Sequence, residues 1–310
     1  MSNFEFTALG TSSFLPTKTR NHNGYHLAWQ GKGILFDCGE GTQRQLTFAG
    51  LGVHSVHVIA LTHLHGDHCL GLPGVLQRIS LEQPPHPVVV TFPAESQEYV
   101  ERLHHASIYY DQAEVIYRPI EPSEEPQVIL STPQFVLSAA PLNHRVPAVG
   151  YRVEEPPGIS FDGHALAERG IRGPLVGQLK RDGRIEVDGR ITTLEEVSRP
   201  RKGRSMAFIM DTRPCRGAEL LARDVDLMVM EATYANDCAA LAEEYGHSTA
   251  EQAARVAVAA KAKTLALTHF STRYPNTDAH LAQACAIHPN VVALSDLDRV
   301  PVGLPQRDSA

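Results

Sequence analysis

This chain is a series of short apolar runs that end in side chains able to bind metal, and the densest such ending is Thr62-His63-Leu64-His65-Gly66-Asp67-His68. The run before it, Val56-His57-Val58-Ile59-Ala60-Leu61, is β-branched and short enough to be a buried strand. After it, Cys69 to Leu76 reads as the start of a packed helix. In extended chain side chains repeat every two residues, so His63 and His65 point the same way and can grip one ion. Gly66 is expected to let the backbone turn sharply, carrying Asp67 and His68 to a second position nearby. Nitrogen donors with one carboxylate oxygen make the set that zinc prefers, whereas magnesium and calcium favour oxygen.

The same grammar recurs along the chain. Met206-Ala207-Phe208-Ile209-Met210 ends at Asp211, Leu227-Met228-Val229-Met230 at Glu231-Ala232-Thr233-Tyr234, and Thr264-Leu265-Ala266-Leu267-Thr268 at His269. His144 follows a strand-like piece directly, which makes it a candidate third nitrogen ligand. His247 stands before a helix whose apolar stripe is Ala253, Val256, Ala257 and Ala260, with Ser248 and Glu251 read as its capping box. Asp37 ends an early strand; it either orients a ligand histidine or caps the helix from Thr42, and the cap is the simpler expectation. The stretch Ala94–Ala106 reads as one helix, with His104 and His105 expected at its surface. Strands alternating with helices define an α/β chain.

Composition bounds the function classes. No apolar run approaches the roughly 20 residues that span a bilayer, and Met1-Ser2-Asn3-Phe4-Glu5-Phe6 has no leader pattern. The five cysteines are scattered without Cys-x-x-Cys spacing, as expected of reduced thiols in a cytoplasm. A net charge of −7 argues against a nucleic-acid partner, but its distribution is uneven. Arg169 to Arg204 holds ten Lys/Arg against five Asp/Glu, which suits either local polyanion binding or a solvated insertion. We read 154–203, rich in Gly and Pro, as an inserted arm projecting from a single 1–310 domain. Its glycines at 170, 173, 177 and 183 suit a loop whose amides approach phosphates.

With Asp211 and His269 at later strand ends, the Thr62–His68 motif resembles that of the metallo-β-lactamase fold hydrolases. The resemblance narrows to the ribonuclease Z (tRNase Z) family in its short bacterial form. It rests on Gly10-Thr11-Ser12, Pro16-Thr17-Lys18-Thr19-Arg20-Asn21, Phe36-Asp37-Cys38-Gly39-Glu40-Gly41-Thr42-Gln43 and His144-Arg145-Val146-Pro147. Further along it rests on the 173–180 segment, Asp211-Thr212-Arg213-Pro214, Glu231–Tyr234, His247-Ser248-Thr249 and His269–Tyr274. Tyr234 replaces an expected phenylalanine, and Ile171-Arg172 vary the opening of the insertion.

The resemblance implies a four-layer αββα sandwich of the metallo-β-lactamase type with a projecting basic arm. It implies two zinc ions per subunit, one on His63, His65 and His144, the other on Asp67, His68 and His269, with Asp211 bridging. It further implies removal of the 3′ trailer from precursor tRNA, leaving a 3′-hydroxyl, by a cytoplasmic homodimer with no membrane association. In that reading Asp67 orients and deprotonates the attacking water, and His247, steadied by Glu231, protonates the departing oxygen. Lys18, Arg20 and Arg273 hold phosphates, and Gly173, Pro174, Gly177 and Lys180 mark the tRNA-gripping arm. The rival is hydrolysis of another ester or phosphodiester on the same scaffold, since fold does not fix substrate.

Overall fold

In the central strands of this protein both faces are buried, and the two faces carry residues of different size. In Lys32–Cys38, Ile34 and Phe36 enter one core while Leu35 and Cys38 enter another. In Ser205–Ile209, Met206 and Phe208 join Ile34 and Phe36, while Ala207 and Ile209 face away. Two-sided burial explains the near-continuous apolar runs of the sequence. The structure is a computed structural model that describes residues 4–303; Met1-Ser2-Asn3, part of the stretch read above for a leader, lies outside the described residues.

The first sheet has seven strands in the order Arg299–Pro301, Phe4–Gly10, Gly24–Trp29, Lys32–Cys38, Val56–Ala60, Val88–Pro93 and Val115–Ile120. The second runs Val291–Ala293, Leu265–Thr268, Leu227–Glu231, Ser205–Ile209, Val149–Glu154, Val136–Pro141 and Gln127–Ser131. Both are mixed, with a parallel half and an antiparallel half. Their facing surfaces share one core, in which Phe208 stacks on Phe36 at 4.6 Å and meets Tyr25 edge-on at 5.1 Å. Helices Thr42–Phe48, Leu72–Glu82 and Gln97–His104 cover the outer face of the first sheet, and Arg216–Ala222, Ala250–Ala259 and Asp278–Cys285 that of the second. The result is the expected αββα sandwich. No helix among the described residues is long and apolar enough to cross a membrane.

Hydrogen bonds from one sheet's loops to the other's fix the two halves in registration. Val149 N–H donates to the Thr62 carbonyl at 2.9 Å, and the Tyr151 hydroxyl to the Leu61 carbonyl at 2.6 Å. Phe270 N–H donates to the Thr11 carbonyl at 2.9 Å.

Glu155–Gly203 forms a separate compact unit. Gly158–Phe161 pairs with Ser198–Arg201, and Arg184–Val187 with Arg190–Thr193, around Leu166, Ile171, Leu179, Ile185 and Val197. Its centre is not the expected loop. Pro174–Asp182 is a helix, because Pro174 presets the backbone of the first turn and Gly183, at φ +73°, ends it in the left-handed region.

Other local expectations shift. The helix read over 94–106 is a 3₁₀ turn, Ala94–Ser96, followed by Gln97–His104. His104 is buried, with Nδ1 against the Tyr117 hydroxyl at 2.5 Å and Nε2 3.1 Å from Asp111, whereas His105 is exposed. Helix Ala250–Ala259 is capped one residue later than expected, by Thr249 with Gln252; the Ser248 hydroxyl donates instead to the Thr212 carbonyl. Gly66 has no left-handed backbone: the chain turns there through the short helix Gly66–Cys69, and a Cβ at 66 would meet only the Leu70 side chain.

Candidate metal centre and its acid–base pair

All the predicted ligands lie at carboxyl ends of strands along one edge of the sandwich, where the two sheets meet. The backbone is bent to put them there. Asp37, Asp211 and His269 have φ of 53°, 41° and 61°, a left-handed conformation that costs a non-glycine residue about 1–3 kcal/mol.

One buried carboxylate in each sheet organises the rings. Asp37 Oδ2 accepts from His68 Nδ1 at 2.8 Å and from the Thr62 hydroxyl at 2.9 Å, and that hydroxyl in turn accepts from His63 Nδ1 at 3.0 Å. Glu231 repeats the device: Oε1 accepts from His247 Nδ1 at 2.9 Å and Oε2 from the Thr233 hydroxyl at 2.6 Å. The Thr233 hydroxyl accepts from His269 Nδ1 at 2.7 Å. His144 Nδ1 donates to the Gly246 carbonyl at 2.8 Å. Asp37 therefore orients a histidine from behind, and the helix-cap expectation is corrected: Gly41 precedes that helix, and the Thr42 hydroxyl turns back to the Gly39 carbonyl.

Acceptors on the Nδ1 side fix the tautomers, because a carboxylate, a carbonyl or an already-donating hydroxyl can only accept. His63, His68, His144 and His269 thus present bare Nε2 lone pairs inward. His63 Nε2 lies 3.0 Å from His65 Nδ1, and His144 Nε2 lies 3.3 Å from the same atom. His68 Nε2 and His269 Nε2 lie 3.2 Å apart, with Asp67 Oδ2 3.4 and 3.5 Å away. Asp211 spans both groups: Oδ2 is 3.5 Å from His63 Nε2, and Oδ1 is 3.1 Å from His269 Nε2. Lone pairs facing lone pairs in a buried site repel unless a cation lies between them. Asp211 Oδ1 is buried without a hydrogen-bond partner among the described residues, as a metal ligand would be. The donor sets His63/His65/His144/Asp211 and Asp67/His68/His269 therefore fit divalent metal.

Electrostatics agree with that fit. Burial alone would raise Asp67 and Asp211, but the surrounding imidazoles outweigh it and hold both carboxylates below their usual range. Burial opposes charge on His68, yet Asp211, Asp67 and Asp37 raise it: the carboxylates around that ring favour positive charge beside its Nε2, where a bound cation would lie. Burial also opposes charge on His247, but Glu231 and then Asp211 raise it to about 9. Glu231, fully buried, is held low mainly by His247 despite its own desolvation.

The site opens into a cleft of about 920 Å³ whose lining includes Asp67, His144, His247, Tyr234 and Arg273. Lys18 and Arg20 are not in that lining. Lys18 is exposed on its loop, and Arg20 donates to the Tyr274 carbonyl at 3.3 Å and lies 5.3 Å from the centre of the Phe270 ring. Gly173, Pro174, Gly177 and Lys180 belong to the 155–203 unit, on or beside its second helix. Sequence reading missed Thr62, Thr233 and Asn23, whose amide nitrogen lies 3.4 Å from Asp67 Oδ2. The two threonines carried a usable signal, each beside a strand-end histidine or glutamate; Asn23 carried none.

An αββα sandwich with two nitrogen–carboxylate donor sets at one edge defines a metal-dependent hydrolase of the metallo-β-lactamase superfamily, whose sequence profile matches residues 19–156. The chain is 50% identical to ribonuclease Z of Nocardia farcinica over 99% of its length and all of the relative's. It is 45% identical to ribonuclease Z of Thermobifida fusca, covering 100% of this chain and 97% of that one. The crystal structure of human tRNase Z, short form, superposes with a TM-score of 0.71 at 26% identity, covering 97% of this chain and 100% of the human one. The chain belongs to the ribonuclease Z family.

Proposed function

We propose that this protein is a zinc-dependent endoribonuclease that removes the 3′ trailer from precursor tRNA and leaves a 3′-hydroxyl on the tRNA. The observation that carries the reading is Asp211, shared between two imidazole-rich donor sets and set beside a histidine–glutamate pair. His63, His65 and His144 would hold one zinc, Asp67, His68 and His269 the other, with Asp211 common to both. When bound, such a pair polarises a phosphodiester and acidifies water at neutral pH.

The chain's own groups then have separate tasks. Asp67 accepts a hydrogen bond from the attacking water and takes its proton, and the surrounding imidazoles hold its carboxylate ionised for that role. The Phe14 amide, 2.9 Å from Asp67 Oδ2, fixes that carboxylate's orientation. His247 carries the proton for the departing ribose oxygen, and Glu231 keeps it charged and aimed through the 2.9 Å contact at Nδ1. Arg273 faces the cleft to meet phosphate, and Lys18 and Arg20 serve the incoming 3′ end from the neighbouring loop.

The 155–203 unit serves as the tRNA-gripping arm, with Gly173, Pro174, Gly177 and Lys180 at its contact face. In support, Arg172, Lys180, Arg181 and Arg184 are exposed, and none makes an ion pair among the described residues. The working unit is a homodimer in the cytoplasm, one subunit's arm presenting the tRNA to the other's centre. The test is cleavage of an end-labelled precursor tRNA by purified protein, with metal analysis of the same preparation. A trailer released at the mature end, lost on chelation and restored by zinc, is expected. Hydrolysis of small diesters with no cleavage of precursor tRNA would refute the substrate assignment.

A further inference from the structure

At the mouth of the cleft one residue is explained neither by burial nor by backbone preference. Phe14 is 76% exposed, the largest exposure among the aromatic and aliphatic side chains that line the cleft. Its φ is +32°, in the region that glycine adopts readily and a bulky residue does not. The Leu15 amide donates to the Ser13 carbonyl at 2.5 Å, closing a tight three-residue turn around Phe14.

The turn is nevertheless tied down on every side. The Phe14 amide donates to Asp67 Oδ2 at 2.9 Å, its carbonyl accepts from His22 Nε2 at 3.0 Å, and the Ser12 hydroxyl donates to the Leu15 carbonyl at 2.5 Å. A strained backbone, fixed by three contacts and presenting an exposed ring beside the reacting groups, is what a preorganised contact surface requires. Leu15 and Leu70, 54% and 56% exposed, extend the apolar patch around the ring.

The direction in which the ring serves follows from the acid–base pair. Cleavage that leaves a 3′-hydroxyl on the tRNA makes the last tRNA ribose the leaving group, and His247 is the group that protonates it. Asp67 Oδ2 lies 3.5 Å from His269 Nε2, whereas His247 Nδ1 lies 2.9 Å from Glu231 Oε1 and 3.9 Å from Asp211 Oδ2, so the two groups reach the shared centre through different partners. Phe14 is bonded to Asp67, the group assigned to the attacking water, while the ring contacts of His247, the group assigned to the departing ribose, are with His144, Tyr234 and His269. We propose that the Phe14 ring is a stacking platform for the base of the first trailer nucleotide, a specificity-determining contact that deepens the tRNA-trailer reading above and rests on it. A phenyl face accepts any base, so the contact secures a stacked nucleotide rather than a particular sequence.

The test is single-turnover cleavage by the zinc-loaded enzyme of three precursors: intact, abasic at the first trailer nucleotide, and abasic at the last tRNA nucleotide. In the unaltered protein the first abasic site should lower kcat/KM by about 5- to 150-fold, the equivalent of about 1–3 kcal/mol for one base on one aromatic. Phe14→Gly keeps the amide to Asp67 and relaxes the turn, so its intact-to-abasic ratio should fall to near unity. Phe14→Leu, equally strained but without a π face, should behave like the glycine variant, and Phe14→Trp should keep the full ratio. Each ratio is taken within one variant, which cancels changes common to both substrates. The inference is overturned if Phe14→Gly keeps the ratio, if the effect belongs to the last tRNA nucleotide, or if light scattering shows that Phe14→Gly changes the oligomeric state, making the ring a subunit contact. Correct cleavage by the unaltered protein without dependence on Phe14 refutes this inference alone; no cleavage at all refutes the reading beneath it as well.

Discussion

Replacing His247 with alanine separates a proton donor from a packing residue, because the two roles respond differently to the leaving group. The ring is nearly buried, 2.9 Å from Glu231 Oε1, and its imidazolium is held up to about 9 in the metal-free protein. Glu231 and Asp211 are the carboxylates that support that charge, and metal on Asp211 would weaken the second of them and lower the value. A positioned general acid contributes about 10²- to 10⁴-fold when the leaving group is a poor one, equivalent to roughly 2.7–5.5 kcal/mol of barrier. A ribose alkoxide is such a group, whereas p-nitrophenolate departs without a proton. We therefore expect His247→Ala to lose that factor in single-turnover cleavage of precursor tRNA, yet to lose less than about tenfold on bis(p-nitrophenyl) phosphate. The acid must carry its proton, so cleavage of RNA by the unaltered enzyme falls as pH rises through the His247 titration, and that alkaline limb disappears in the variant. Equal losses on both substrates with both metals retained would refute the assignment.

Three further outcomes are expected. Thr233→Val removes the hydroxyl that holds His269 Nδ1 at 2.7 Å, and a lost partner behind a metal ligand typically weakens metal affinity by about 10- to 100-fold; chelator competition measures it, and unchanged affinity would count against the relay from Glu231. Replacing 155–204 with a short turn that joins Glu154 to Ser205, register partners across adjacent antiparallel strands, should abolish tRNA cleavage while small-diester hydrolysis survives; parallel loss of both would sink the arm's role. Phe208→Ala, at the centre of the inter-sheet aromatic cluster, should destabilise by about 3–5 kcal/mol; denaturant titration with an unchanged slope reads the effect, and a loss under 1 kcal/mol would mean that the core collapses into the gap.

Strand ends were the legible part of this protein. Apolar runs of five or six residues fix strands through the two-residue repeat, and a His, Asp or Glu just beyond such a run must emerge at the sheet edge. That local rule reaches His63, His65, Asp67, His68, Asp211, Glu231 and His269, and the chemistry of nitrogen with carboxylate donors points to their common use. The rule also puts Asp37 at a strand end, but it does not say which partner Asp37 meets there. Local pattern favoured a helix cap there, and only the approach of His68 Nδ1 and Thr62, 31 and 25 residues away, makes Asp37 an orienting base.

What the sequence determined by itself is therefore the set of reactive groups and the kind of place each occupies, because both depend on neighbours a few residues apart. Tertiary structure decided which groups meet. His68 and His269 face each other across 201 residues only because the two sheets pack through Phe36, Tyr25 and Phe208. The same packing aims Asp211 at both donor sets, runs the threonine relays behind the rings, and leaves Phe14 exposed over Asp67. Such encounters are set by side-chain volume and cross-sheet hydrogen bonds summed over the whole sandwich, and no local window of the chain contains that sum.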